Sequence, residues 1–363
     1  MKIQILQDRL RSGGTERQTI LLARAFMKAG HVVQVMTFRP GGALAATLAP
    51  VSRRVLQPFD LGLDWFAPGL HRAIKQFSPE VILCMGRMTN SWAGAVKRKC
   101  GQVGLRPAVI GTMRTGKPLP RRFRDSLQIV DHVVANSNDA AHRLTTDYAV
   151  PTAKISVIHN ALVFPPRGSQ ADELTRSLRA STRLENGVTE TTTVMVCIAM
   201  FRPEKNQRAL VDLFAKLPAQ ENCQLWFVGD GSTRSQVQAH ARACGVAGRI
   251  KFFGFQADPE RFYAAADLAV LTSRSEALSN FLIEAHAHGL PSVAYDVMGV
   301  KECGGMAVAL DDEAAFIEKL VSLVRDSSAR ARESERLRVY AREAFAPEKQ
   351  AGEYLNLFVR LRG

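Results

Sequence analysis

The sequence predicts an α/β protein: two Rossmann-like doubly wound parallel-sheet domains facing across a cleft, with helices at the C-terminal end. Three observations predict the two α/β halves. Short apolar runs alternate with amphipathic helical stretches along most of the 363 residues, the pattern of parallel sheets with crossover helices. The chain is too long for one ordinary core. An interruption rich in turn formers, Phe164–Pro165–Pro166–Arg167–Gly168–Ser169–Gln170, divides the alternation into two similar halves.

In the first half the predicted strands are Lys2–Gln7, His31–Thr37, Glu80–Met85, Ala108–Met113, His132–Ala135 and Ile155–His159. Helices fall between them. The first is the clearest: Thr15 and Gln18 have capping-box spacing, Ile20, Leu21, Leu22, Ala23, Phe26 and Met27 give an apolar face, and Gly30 stops it. A polar helical stretch near Asp172–Arg183 follows the interruption. Strands resume at Thr193–Met200, Gln224–Val228, Ile250–Phe253, Leu268–Leu271 and Pro291–Tyr295, with a short one at Ala307–Leu310, and the last fifty or so residues read as helices rich in Arg, Glu and Ala. The expected domains are residues 1–163, a connection at 164–190, residues 191–345, and a C-terminal helix at 346–363 able to pack back on the first domain.

No apolar run approaches the roughly 18 residues of a membrane span. Met1 leads straight into the first strand without a basic and apolar leader, so the chain is expected to fold in the cytoplasm. Six cysteines, Cys84, Cys100, Cys197, Cys223, Cys244 and Cys303, show neither C-x-x-C spacing nor accompanying histidine pairs, and are expected to be reduced and mostly buried. The net charge of +14 lies wholly in residues 1–164, which hold 23 Lys and Arg against 9 Asp and Glu; the remainder holds 25 against 25. An anionic partner is therefore expected for the first half alone: nucleic acid, a membrane surface or a phosphorylated substrate.

Ligands of open parallel sheets bind at the carboxyl ends of the strands, so the loops there are the candidate sites. After the first strand, Asp8–Arg9–Leu10–Arg11–Ser12–Gly13–Gly14 enters a helix, and paired glycines let backbone amides approach an anion. Neither the dinucleotide fingerprint nor a phosphate loop is present. After the first strand of the second half, Arg202–Pro203–Glu204–Lys205–Asn206 offers a bidentate fork and a point charge suited to a diphosphate. The next strand ends in Val228–Gly229–Asp230–Gly231, where small residues allow close backbone approach. The strongest segment is Ser275–Glu276–Ala277–Leu278–Ser279–Asn280–Phe281–Leu282–Ile283–Glu284–Ala285. Seven residues separate its two glutamates, the second about one turn into a helix beginning near Ser279 or Asn280. Such a turn offers one carboxylate, the free amides of a helix start and a second carboxylate, and carboxylates suit sugar hydroxyls because they only accept hydrogen bonds.

Together these segments resemble the family-4 retaining glycosyltransferases of the GT-B type. The resemblance runs over nearly the whole chain: Gly13–Gly14, Ala135–Asn136–Ser137, Val157–Ile158–His159–Asn160, the Arg202–Asn206 segment, Val228–Gly231, the paired glutamates, and His288–Gly289–Leu290–Pro291 followed by Gly299 and Glu302. It implies a nucleotide diphosphate sugar, by family default uridine-linked, as co-substrate, with no cofactor and no divalent metal; the chain has no Asp-x-Asp. By this resemblance Glu284 grips the ribose hydroxyls, Glu276 faces the transferred sugar, and amides around Leu278, Ser279, Asn280 and Phe281 bind the diphosphate beside Gly229. Arg202 and Lys205 neutralise charge on the leaving group. Gly13 and Gly14 let the first domain close over the phosphates, and Asn160 belongs to the substrate-binding set. A leaving-group oxygen takes the acceptor's proton, and the configuration is retained.

Two positions depart from the family's commonest pattern. Its Arg lies five residues before the Lys, where this chain has Met200 and instead carries Arg202 three before. Its sugar-contacting His is replaced by Thr112–Met113–Arg114–Thr115, making Arg114 the candidate substitute. The resemblance also implies a lipid-linked or cell-envelope acceptor, such as a lipopolysaccharide or exopolysaccharide precursor, bound by the basic first domain, peripherally at the inner face of the membrane. The candidate contacts are Arg121, Arg122 and Arg124 around Phe123, the run Lys97–Arg98–Lys99, and Trp65–Phe66 in an expected helix. The rival readings are a nucleic-acid-binding module, disfavoured by the lack of an RNA-binding signature, an epimerase on the same fold, and an inactive sugar-nucleotide sensor.

Overall fold

The computed structural model describes residues 1–11, 13–166, 168–218 and 221–363. Ser12 of the glycine-rich loop and Arg167 of the expected connection lie outside the described residues. The chain divides into two units, Met1–Ala161 with Phe345–Gly363, and Leu162–Ala344.

The first unit holds β1 (Lys2–Gln7), α1 (Gly14–Lys28), β2 (Val32–Thr37), β3 (Ser52–Val55), α2 (Leu70–Phe77), β4 (Val81–Cys84), α3 (Arg87–Gln102), β5 (Ala108–Met113), α4 (Arg121–Ile129), β6 (His132–Ala135), α5 (Asn138–Thr146) and β7 (Ile155–Val157). Its seven strands run in the order β3-β2-β1-β4-β5-β6-β7, every pairing parallel. Leu6 of β1 is in register with Met36 on one side and Cys84 on the other. The chain order reverses there, and a crevice opens at the carboxyl ends of such neighbours. Strands β4, β5 and β6 are buried throughout, which explains why they read as unbroken apolar runs rather than alternating ones.

The second unit holds α6 (Ser169–Glu185), β8 (Thr193–Ile198), α7 (Gln207–Ala215), β9 (Cys223–Val228), α8 (Arg234–Ala243), β10 (Ile250–Phe252), α9 (Glu260–Ala265), β11 (Leu268–Leu271), α10 (Asn280–Ala287), β12 (Ser292–Tyr295), β13 (Met306–Val308) and α11 (Glu313–Arg325). The parallel order β10-β9-β8-β11-β12-β13 places its reversal beside β8. Two helices finish the chain, α12 (Ser327–Phe345) and α13 (Pro347–Arg362). Helix α13 packs on α1 within the first unit: Phe26 meets Phe358 edge-on at 5.5 Å and Tyr354 at 6.1 Å between ring centroids.

Several local expectations are corrected. The Thr15 and Gln18 capping box does not form. Gly13 is the N-cap and has no side-chain cap bond, because Gln18 is buried and its amide exchanges two 2.7 Å hydrogen bonds with the peptide of Ala161, satisfying backbone groups that burial would otherwise leave unpaired. Strand β3 was not anticipated; its Ser-Arg-Arg-Val has no apolar alternation, as suits an edge strand. Trp65 and Phe66 lie in turns rather than a helix. Asp60 and Asp64 there bind Arg9, Arg11 and Arg39 at 2.7–3.1 Å, and Pro58 and Pro68 bracket the segment. Phe123 is buried while Arg121, Arg122 and Arg124 are exposed, so the ring anchors α4 to the core instead of standing among the cations. Lys97 likewise turns inward to Asp131, at 2.7 Å. Among the described residues no helix is long and apolar enough to cross a membrane.

Candidate active site

In the second unit the loops after β8, β9 and β11 are tied into one assembly at the carboxyl edge of the sheet. A Cβ on Gly229 would lie 2.0 Å from the carbonyl oxygen of Ala199, and one on Gly231 would lie 2.2 Å from that of Phe201. Both glycines adopt positive φ, so the turn after β9 rests directly on the segment leading to Arg202. From the other side, the Arg274 N–H donates to the carbonyl of Glu204 at 2.8 Å and the Thr272 hydroxyl to that of Asn206 at 2.9 Å.

This frame brings Lys205 and Glu276 together. Lys205 Nζ lies 2.6 Å from Glu276 Oε1, the carboxylate being nearly enclosed and the ammonium partly accessible. Arg202, by contrast, is exposed. The carboxyl edge also holds buried polar atoms with no partner among the described residues: Asn206 Nδ2, Thr233 Oγ1 and Ser273 Oγ. Each follows a different strand, β8, β9 and β11, and each lacks the bond that buried groups ordinarily make. At the carboxyl ends of three neighbouring strands, these atoms are able to bond a polar ligand.

Helix α10 supplies the rest. Ser279 caps it, its hydroxyl accepting from the Leu282 N–H at 3.4 Å. Leu278, Ser279 and Phe281 are buried and Asn280 is half-buried, so side chains pack inward at the turn that presents the helix's first amides. A Cβ on Gly299 would fall 1.9 Å from the carbonyl of Ala277, showing how closely the following loop clasps this turn. His286 fixes the inner face of α10, its ring bridging the carbonyl of Cys303 and the hydroxyl of Ser292, each at 2.8 Å. Burial pushes it down to about 4, so it is neutral near pH 7.

Glu284, one turn into α10, is held by a residue to which no motif in the chain points. The Tyr263 hydroxyl on α9 donates to Glu284 Oε2 at 2.8 Å. The Tyr263 ring stacks on His288 at 4.7 Å and 10°, and His288 in turn lies 3.4 Å from Glu260. Burial lowers His288 to about 4 and raises Glu260. Tyr263 is 21 positions before Glu284, and no spacing rule links them.

In the first unit Asp8 ends β1 and accepts from the N–H groups of Met88 at 3.1 Å and Thr89 at 2.9 Å, closing the start of α3. Burial raises it to about 6 against the pull of those two amides. Gly86 makes this fit, since a Cβ there would lie 2.2 Å from the carboxylate. Gly13 and Gly14 lie at the start of α1. Arg114, at the end of β5, donates to Asn160 Oδ1 and, at 2.7 Å, to the Tyr354 hydroxyl on α13. Two predicted substrate contacts thus hold each other and anchor the C-terminal helix.

Comparison with known proteins agrees with this architecture. The family model described as Glycosyltransferase Family 4 matches residues 12–162, and that described as Glycosyl transferases group 1 matches residues 192–326. The chain belongs to the family-4 glycosyltransferases and has the GT-B fold. It is 31% identical over 169 residues to the lipopolysaccharide core biosynthesis glycosyltransferase LpsE of Rhizobium meliloti, covering 45% of this chain and 49% of that protein. It is 25% identical over 243 residues to the N-acetyl-alpha-D-glucosaminyl L-malate synthase of Bacillus anthracis, covering 65% of this chain and 61% of that one. The matches thus span about half to three fifths of these curated relatives. Anabaena HepE, solved in complex with UDP and glucose, superposes with a TM-score of 0.80 at 20% identity over 99% of each chain. A glycosyltransferase of Rickettsia africae gives 0.82 at 17%, over 99% of this chain and 98% of that one.

Proposed function

We propose that the protein transfers a sugar, with retention and without a divalent metal, from a UDP-linked donor to a glycan or lipid-linked acceptor in lipopolysaccharide or polysaccharide synthesis. The observation that carries this reading is the convergence of Lys205 and Glu276, 2.6 Å apart, beside the capped start of α10 and the tethered Glu284. The relatives' roles in lipopolysaccharide core synthesis and the neighbour holding UDP and glucose support the choice of acceptor class and donor.

In this reading the amides at Leu278–Phe281 cradle the diphosphate, and Glu284, aimed by Tyr263, accepts from the two ribose hydroxyls. Glu276 faces the sugar and holds the Lys205 ammonium where negative charge grows on the departing phosphate. Arg202, free of the enclosed loop, adds a second cation when donor is bound. Gly229 lets backbone approach the phosphates. Retention follows if the acceptor attacks the face the diphosphate leaves, with a phosphate oxygen receiving its proton.

A thermal-shift screen of nucleoside diphosphates and their sugars, with magnesium or with a chelator, tests donor class and metal independence together. A UDP-sugar should raise the unfolding temperature equally in both conditions. No shift from any sugar nucleotide removes the reading, and a shift only with magnesium removes its metal-independent part. Glu284→Ala should weaken donor binding about 10–100-fold and Tyr263→Phe about 3–10-fold, the ranges for losing charged and neutral hydrogen bonds.

Membrane placement rests on the exposed Arg121, Arg122 and Arg124 of α4, each worth about 1 kcal/mol at an anionic surface. Reversing all three to Glu should release the protein from anionic vesicles in sedimentation. Unchanged sedimentation would leave the net charge a matter of solubility alone.

A further inference from the structure

We propose that Asp212, His240 and Cys244 form a site for a zinc-class metal ion that clips α7 to α8. Among the described residues these three make a group whose ligand atoms all lie within 4.8 Å of one another. His240 Nε2 is 2.5 Å from Asp212 Oδ1 and 3.6 Å from Cys244 Sγ, which is 3.9 Å from the same carboxylate oxygen. Cys244 is the one cysteine of the six that is not buried. His240 stands one helical turn before it.

Two readings of a Cys–His–Asp group compete, and the geometry separates them. In a nucleophile relay the imidazole uses one nitrogen for the thiol and the other for the carboxylate. Here the single Nε2 faces both, so the three donor atoms converge on a common point, as metal ligands do. Tetrahedral zinc, with bonds of about 2.0–2.3 Å, sets its ligand atoms roughly 3.3–3.7 Å apart. The sulfur distances already lie within a few tenths of that range, and the His240–Asp212 gap widens as the ion replaces their hydrogen bond. One thiolate, one imidazole and one carboxylate suit zinc, whereas magnesium and calcium seek oxygen alone. Three protein ligands leave a fourth position for water.

The placement gives such an ion a consequence. Helix α7 begins two residues after Lys205, and α8 follows the Gly229–Gly231 turn. An ion joining Asp212 on α7 to His240 on α8 and Cys244 at its C-cap therefore couples the two helices that lead away from those loops. The site is separate from the donor-binding residues, and its occupancy does not depend on which donor is used.

The test is metal titration of the tag-free, reduced full chain, first with zinc by calorimetry and then with cobalt(II) as a spectroscopic probe. The expected result is one zinc per chain with micromolar or tighter affinity, and a sulfur-to-cobalt charge-transfer band. Cys244→Ser should abolish that band, and Cys244→Ser, His240→Gln and Asp212→Asn should each lower zinc affinity by about tenfold or more. All three side chains are only half-buried, and circular dichroism checks that the variants fold. Absence of saturable zinc binding, or wild-type affinity in any of the three variants, overturns the site.

Discussion

Replacing Lys205 by alanine is expected to lower kcat by about 10²–10³-fold, the usual cost of removing one preorganised group that meets transition-state charge, while donor affinity changes far less. Enclosure is the cause. Lys205 sits in the short turn Pro203–Lys205, and its ammonium lies 2.6 Å from a carboxylate that is 9% exposed, so its position is set before any ligand arrives. A cation held this way loses little reorganisation energy when charge develops beside it. Arg202 is exposed and has no such tether, so Arg202→Ala should cost less.

The pairing also predicts how the two substitutions combine. Lys205→Ala alone leaves Glu276 as an enclosed charge without its partner, and that isolated carboxylate repels the diphosphate. Adding Glu276→Gln should remove that repulsion and return the small loss of donor affinity but not kcat, a non-additivity that a double-mutant cycle reads directly. Steady-state release of nucleotide from the donor identified by the screen supplies both parameters. A Lys205→Ala enzyme with kcat within about twofold of the parent would remove the ammonium from the reaction.

What could be read from the chain, and what could not, divides by sequence distance. Glu276, Glu284 and Ser279 were legible because a loop, a cap and the first turn of a helix are contiguous, so residue type and spacing state the geometry. The strands β1, β5, β6 and β11 were legible at their observed bounds, β5 and β11 because burial on both faces leaves a mostly apolar run cut off by turn formers. The capping box failed because local propensity was overridden by a partner 143 positions away, the peptide of Ala161. Tyr263, Thr233 and Ser273 were invisible, and Asn206 was read only as the end of the basic turn, since their meaning comes from strands adjacent in the sheet and not in the chain.

The segment that the sequence presents as a mere connection yields the largest stability prediction. Residues 164–190 contain α6, and Arg183 near its end is 1% exposed. Its guanidinium donates to the carbonyls of Ala265 at 2.8 Å, Thr189 at 2.6 Å and Thr192 at 2.5 Å, and to Asp267 at 3.2 Å. Asp267 also accepts from the Val194 N–H at the start of β8 and from Arg179, both at 2.8 Å. One side chain therefore joins α6, α9 and the amino ends of the central strands β8 and β11. Arg183→Ala takes this donor from the Thr192 carbonyl, leaves the Ala265 and Thr189 carbonyls with one donor each, from Arg179 and the Thr192 N–H, and leaves Asp267 with Arg179 as its cation; it should cost about 1–3 kcal/mol, or roughly 2–12 °C in the unfolding temperature of the second unit. Arg183→Lys should recover little, because a point charge cannot span the fan of acceptors that a planar fork reaches. A denaturant melt showing a loss below about 1 kcal/mol, the worth of an ordinary surface pair, would mean that solvent enters and replaces these bonds, and α6 would then be the loosely attached connection its polar sequence suggests.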